Sequence, residues 1–304
     1  MIEASILIPA KDEALNIRSC LDAIFSQETS TKFEVILVDS GSTDGTPEIV
    51  TNYPVRLYRI RPDEFHHART RNYLASLAQG KYLVYLNADA FPASPHWLDS
   101  LLCNFSDSSV GAVYGRHLPK QDCNLERQVV LATMYGDARI VKEPSRKQEL
   151  GYRYYHLSTV NAAIRKFVWE ANKFPEELKI YEDIGIAKRI LDNGWKIVYE
   201  PTATVFHSDN HKVAYLFKRY FDLGVIWTQL GMWDDSAKSS LFRDGWRLLR
   251  RKLNAGNGNT VRSKARFNSI VQDTAKYAGL MLGKNERLLP LIIKRRMSGV
   301  RLFN

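Results

Sequence analysis

No stretch of the chain approaches the roughly 18 uninterrupted apolar residues that a membrane-spanning helix needs, although 45% of its 304 residues are hydrophobic. The lack of such a run argues against a spanning protein. The apolar content is still ample for a sizeable core, in one large domain or in one domain plus an extension. Cysteine is scarce as well, with only Cys20, Cys103 and Cys123. Their spacing matches no metal site and leaves an odd thiol, so a reducing cytosol is the simplest setting. Met1-Ile2-Glu3-Ala4-Ser5 carries no basic leader and runs straight into a strand, so a secretion signal is not expected. Internal repeats and low-complexity tracts are lacking too.

Positive charge is abundant, but it is unevenly placed. The net charge is +10, and residues 212–304 hold 19 Lys+Arg against 6 Asp+Glu, which makes that third +13 and the rest −3. The basic partner surface and the active site are therefore separate questions.

The first half alternates buried strands with amphipathic helices. Ser5-Ile6-Leu7-Ile8, Val35-Ile36-Leu37-Val38, Val55 to Ile60 and Tyr82-Leu83-Val84-Tyr85 read as strands. Between them, Ile17, Leu21, Ile24 and Phe25 recur at helical spacing, as do Leu74, Leu77 and Ala78 before Gly80. Thr46-Pro47 predicts an N-cap with proline at the first helical position, and Ser94-Pro95 predicts another helix start. Val110 to Tyr114, Thr159 to Ile164 and Lys196 to Tyr199 add strands, and a helix carrying Ile184 to Leu191 stops at Gly194. Residues 116–155 are polar and weakly periodic, as an excursion over a site would be. The expected fold is α/β, a mainly parallel sheet flanked by helices, followed beyond residue 210 by a basic helical extension with a linker at 254–259.

In such sheets ligands gather at the carboxyl ends of the strands, and two acidic stretches lie there. Asp39 ends one strand ahead of a glycine-rich turn, where its carboxylate could accept from a pyrimidine N3–H or a ribose hydroxyl, or could simply tie down the turn together with Asp44. Asn87-Ala88-Asp89 ends another strand. Asp89 offers a hard oxygen to a divalent cation, and Asn87 can bond a neighbouring hydroxyl or water, although Asn-x-Asp is also ordinary turn chemistry. Glu182-Asp183 opens a helix. The helix dipole favours acids there, yet the two point about 100° apart, so one of them could enter a pocket as a general base worth roughly 10²- to 10⁴-fold. Arg69-Thr70-Arg71-Asn72 could give donors to a diphosphate or be a solvated helix start. His207, in His207-Ser208-Asp209-Asn210-His211, is a candidate imidazole ligand beside a carboxylate site.

Four blocks in order, Ile8-Pro9-Ala10-Lys11-Asp12-Glu13, Val38-Asp39-Ser40-Gly41-Ser42-Thr43-Asp44-Gly45-Thr46, Asn87-Ala88-Asp89 and Glu182-Asp183, make the chain resemble family 2 glycosyltransferases of the GT-A fold over residues 4–210. The resemblance implies inverting transfer from a nucleoside diphosphate sugar, with residues 1–210 as the catalytic domain and 211–304 as the extension. It implies that Pro9, Ala10 and Glu13 flank the base, that Asp39 contacts base or ribose, and that Arg71 approaches the nucleotide with Asn87 nearby. It further implies Mg²⁺ or Mn²⁺ held by Asp89 with His207 as an additional ligand, and Asp183 as the base supported by Glu182. The family's metal motif usually begins with Asp, and Asn87 departs from it by one charge.

Phe65 to Asn72, Tyr114-Gly115-Arg116-His117-Leu118-Pro119 and the His207 block are similar to bacterial rhamnosyltransferases. That narrower resemblance implies rhamnose on a dTDP- or UDP-linked donor and a saccharide or lipid-linked acceptor of cell-surface polysaccharide synthesis. Basic residues among large apolar ones, as in Leu216 to Phe221, Trp246 to Lys252 and Leu291 to Arg296, suit either a helix on an anionic membrane surface or helices packed on the catalytic domain. The expected location is cytoplasmic, peripheral to the membrane in the first case. No recognition motif supports a nucleic-acid partner. Two other functions compete: a sugar-phosphate nucleotidylyltransferase, which should show a glycine-rich loop where Pro9 to Glu13 has none, and a catalytically dead scaffold, favoured only by Asn87.

Overall fold

A computed structural model of the chain describes residues 1–254, 260–300 and 302–303. Of the expected linker, Asn254 ends a helix and 255–259 lie outside the described residues.

The strands are β1 (Ala4–Ala10), β2 (Phe33–Asp39), β3 (Val55–Arg59), β4 (Tyr82–Leu86), β5 (Phe91–Pro92), β6 (Val110–Leu118), β7 (Ile140–Lys142), β8 (Asn161–Arg165) and β9 (Lys196–Phe206). They form one nine-stranded sheet in the order β3-β2-β1-β4-β8-β6-β9-β5, with β7 on β9. β1 to β4 pair in parallel. β8 runs against β4 and β6, and β5 and β7 run against β9, so the far half of the sheet is mixed. The run Ile6-Leu7-Ile8 is wholly buried because helices cover both faces of β1.

The helices are α1 (Ile17–Phe25), α2 (Thr46–Val50), α3 (His67–Leu77), α4 (Trp97–Leu102), α5 (Leu125–Met134), α6 (Lys147–Leu150), α7 (Lys166–Asn172), α8 (Glu182–Asp192), α9 (Val213–Gln229), α10 (Asp235–Asn254), α11 (Thr260–Lys284) and α12 (Leu291–Met297). Two starts differ from expectation. Gly45 rather than Thr46 precedes α2, because the Thr46 hydroxyl accepts from the Glu13 N–H at 2.8 Å and Asp44 takes the Thr46 N–H at 3.0 Å. Ser94 holds a turn through the His96 and Trp97 N–H groups, so α4 begins at Trp97. The polar excursion also carries more order than its weak periodicity predicts, namely α5, β7 and α6.

The basic extension packs on the sheet side. Trp227 and Met232 belong to the same buried cluster as Leu7, Tyr85 and Ile186. α9 and α11 cross closely enough that a Cβ on Gly283 would lie 2.0 Å from the Phe221 carbonyl oxygen. Arg153 pairs with buried Asp244 at 3.0 Å, fastening α10 to the excursion. The packing alternative thus accounts for the inner faces, while Leu288, Leu291, Ile292 and Ile293 remain exposed. No helix among the described residues is long and apolar enough to cross a membrane. All three cysteines are free.

Candidate active site

The site lies where β1, β2 and β4 end. Ala10 and Asp39 are register partners at the ends of β1 and β2, and Pro9 precedes Ala10 on the strand. The loops beyond them are zipped together. Thr43 N–H donates to Asp12 at 2.9 Å, Asp12 N–H to Ser42 at 2.8 Å, and Ala14 N–H to Asp44 at 2.8 Å. Asp39 is buried and accepts from the Ser42 hydroxyl and from the Gly41 and Ser42 N–H groups at 3.2 Å. Its turn-holding role is therefore realised. A carboxylate has about four lone-pair sites, so capacity for a ligand donor remains. Gly41 sits at φ +80°, and a Cβ there would meet the Pro62 ring at 2.7 Å, so both backbone and space demand glycine.

Beyond β4, Asp89 and His207 approach each other at 3.3 Å between carboxylate oxygen and Nε2. Asp209 is 3.9 Å from the same nitrogen. One donor atom from each of Asp89, His207 and Asp209 lies within 4.8 Å of the others. Burial alone would raise the Asp89 pKa, but the hydrogen bond and charge of His207, with Lys120, hold it below the ordinary carboxylate range. An ionised carboxylate, an imidazole and a second carboxylate are a donor set that fits a divalent cation. His117 braces the His207 ring edge-on, with centroids 5.3 Å apart. Glu13 belongs to the same neighbourhood. Burial, then the charges of Asp89 and Asp209, push its pKa up against the hydrogen bond from Asn16.

Arg71 and Asn87 meet each other beyond β4. The buried Arg71 guanidinium pairs with buried Glu182 at 3.0 Å and donates to the Asn87 Oδ1 at 3.4 Å. Of its helix neighbours, Arg69 is solvent-exposed, as a helix start would have it. Asn87, two residues before Asp89, is thus linked through Arg71 to the acids at the head of α8. Asp183 is only partly accessible and takes the Ile184 N–H at 2.8 Å. Its pKa is pushed up to about 7 by burial first and the Glu182 charge second, against the Ile184 bond and the charges of Arg71 and Arg219. A carboxylate so tuned can take a proton near neutral pH.

Four contributors are absent from the sequence-based site. Asp209 lies two residues past His207, a spacing that could have flagged it. Lys120 follows the Tyr114 to Pro119 stretch and sits within electrostatic reach of Asp89 and Glu13. Tyr181 directly precedes Glu182-Asp183, but nothing in the sequence marks its role, and Arg219 adjoins Asp183 only through the tertiary fold.

A model of the glycosyl transferase family 2 domain matches residues 5–171. The O-antigen chain rhamnosyltransferase WbaN of Salmonella anatum is 33% identical over 279 residues, 90% of this chain and 87% of that protein. The O-antigen chain rhamnosyltransferase RfbN of Salmonella typhimurium is 29% identical over 98% of this chain and 94% of its own length. Among solved structures, the mannosyltransferase PcManGT from Pyrobaculum calidifontis in complex with GDP-Man and Mn²⁺ superposes with a TM-score of 0.62 at 19% identity, covering 93% of this chain and 88% of that one. S. aureus TarS 1-349 in complex with UDP-GlcNAc does so at 0.57 and 15%, covering 94% and 91%. These two likenesses carry the GT-A-type α/β fold.

Proposed function

We propose, for a chain that belongs to glycosyl transferase family 2 and is a glycosyltransferase, that it moves rhamnose with inversion from a dTDP- or UDP-linked donor to a hydroxyl of a growing surface saccharide. The single observation that carries the mechanistic part is the pair of acidic groups with opposite tuning. Asp89 is held ionised beside His207 and Asp209, and Asp183 is held near neutrality at the head of α8. The rhamnose choice is supported by the two Salmonella relatives, named as O-antigen chain rhamnosyltransferases and matched over nearly their whole lengths.

In this reading residues 1–210 bind the donor and 211–304 form the extension. The zipped loops after β1 and β2 present Pro9, Ala10, Glu13 and Asp39 to base and ribose. Arg71 acts indirectly, holding Asn87 and Glu182 in place rather than touching the nucleotide first. Asp89, His207 and Asp209 would hold Mg²⁺ or Mn²⁺, which when bound supplies Lewis-acid stabilisation of the departing diphosphate. On the other side Asp183 takes the proton of the attacking hydroxyl as the new bond forms opposite the leaving group, which inverts the anomeric carbon.

A panel of nucleoside diphosphate sugars, scored for nucleotide release with and without added saccharide, tests this. Preferential turnover of dTDP-rhamnose is expected. Turnover of another donor alone would leave the transferase but remove rhamnose. Formation of a nucleoside diphosphate sugar and pyrophosphate from a nucleoside triphosphate and a sugar 1-phosphate, with no turnover of the panel donors, would identify nucleotidylyl transfer instead. The exposed Leu291, Ile292 and Ile293 beside Arg295 and Arg296 support a peripheral, cytoplasmic-face location near a lipid-linked acceptor.

A further inference from the structure

The residue before the two acids of α8 has an unusual backbone. Tyr181 sits at φ +62°, ψ +30°, a left-handed conformation that a bulky side chain adopts only when its surroundings impose it. Those surroundings come from the C-terminal extension. The Tyr181 hydroxyl donates to the Arg219 carbonyl oxygen at 2.7 Å, and the Arg219 guanidinium lies over the Tyr181 ring at 5.5 Å from its centroid. Arg219 also donates to the Tyr215 hydroxyl at 3.2 Å, and the Tyr215 ring packs on His211 with centroids 4.5 Å apart. His211 in turn lies 3.9 Å from Asp209. One face of α9 thus runs from the cluster around Asp89 to the head of α8.

We propose that Tyr181 and Arg219 form a latch by which α9 positions the Asp183 carboxylate, so that the basic extension is part of the catalytic machinery. The proposal rests on Asp183 being the base. The tyrosine clamps the peptide that leads into α8 and so aims the side chain that follows. The arginine does a second thing, since its positive charge favours the ionised form of Asp183. Among the described residues, the charged and titratable groups that act most on Asp183 are Glu182 on its own helix, Arg71 on α3 and Arg219 on α9, with Tyr181 and Tyr135 nearby, whose phenols burial keeps protonated. Of these, only Arg219 and Arg71 are cations. Arg71 is already committed to Glu182 at 3.0 Å.

The test uses the full-length chain, with rates read as nucleotide released from whichever panel donor turns over fastest. Tyr181→Phe removes one hydrogen bond and should lower kcat about two- to tenfold, with the acid limb of the pH profile unmoved. Arg219→Ala should lower kcat and move that limb up by about one pH unit. Arg219→Lys should return the limb while leaving part of the kcat loss, because an ammonium cannot stack as a guanidinium does. If Tyr181→Phe and Arg219→Ala fold and keep kcat, KM and the pH limb within twofold or a few tenths of a pH unit of wild type, the latch is refuted. A fall in melting temperature with those three quantities unchanged also refutes it. Asp183→Asn separates the two levels: near-normal turnover there overturns the base assignment itself, whereas lost turnover with silent latch variants overturns the latch alone.

Discussion

Replacing Asp183 by Asn should change rate and stability in opposite directions, and both magnitudes follow from its pKa of about 7 against an ordinary 3.8. A base titrating there is about one-tenth ionised at pH 6 and about nine-tenths at pH 8. In wild type kcat/KM should therefore rise about tenfold over that interval and then level off. An unperturbed aspartate would give a flat profile. The Asn variant should lose roughly two to four decades of turnover at pH 8. Stability runs the other way. Because the folded pKa lies above the unfolded value, the folded state holds the proton between the two. Stability is then highest below the unfolded pKa and falls as pH rises through the folded one. A gap of about three pH units corresponds to on the order of 4 kcal/mol, and the partial accessibility of the side chain makes that an upper bound. The Asn side chain carries no such penalty and can still accept the Ile184 N–H. It should melt above wild type at pH 8, with the gap closing toward pH 4. Initial rates at subsaturating donor and thermal melts across pH 4 to 9 read both effects. A wild-type rate that is flat from pH 6 to 8, together with an Asn variant no more stable at pH 8, would refute the tuning.

Three further outcomes are expected. EDTA should abolish activity, Mn²⁺ or Mg²⁺ should restore it, and His207→Ala or Asp209→Ala should raise the metal concentration needed for half-maximal rate. Full activity in chelator would remove the ligand set. Gly283→Ala should lower the melting temperature, because a Cβ 2.0 Å from the Phe221 carbonyl oxygen forces α9 and α11 apart at a cost of about 1–3 kcal/mol. This exceeds the roughly 1 kcal/mol that alanine gains over glycine in a helix, and an unchanged melting temperature would count against that crossing. Finally, the protein should sediment with vesicles containing anionic lipid at low salt and be released at high salt. Retention in the supernatant at low salt would end the membrane idea.

Strand order of polarity and the acid blocks were legible in the sequence because each is encoded locally. A wholly apolar run such as Ile6-Leu7-Ile8 fits only a strand covered on both faces, and the turn after Asp39 is written in its own glycines and hydroxyls. Asp39, Asp89 and Asp183 lie near strand or helix ends for the same reason. The excursion over 116–155 was not legible, since α5, β7 and α6 are short and draw their stability from β6, β9 and α10 packed against them rather than from periodicity.

The sequence by itself determined the α/β alternation, the ends of the strands where the site lies, and the charge of the last third. Only the tertiary structure decided which side chains share that site. Arg71 is turned inward to Glu182 and Asn87, Asp209 joins Asp89 and His207, and Arg219 reaches Tyr181 from a helix nearly forty residues away. Such contacts depend on how separate elements pack, and a pattern along the chain carries no information about a neighbour across it.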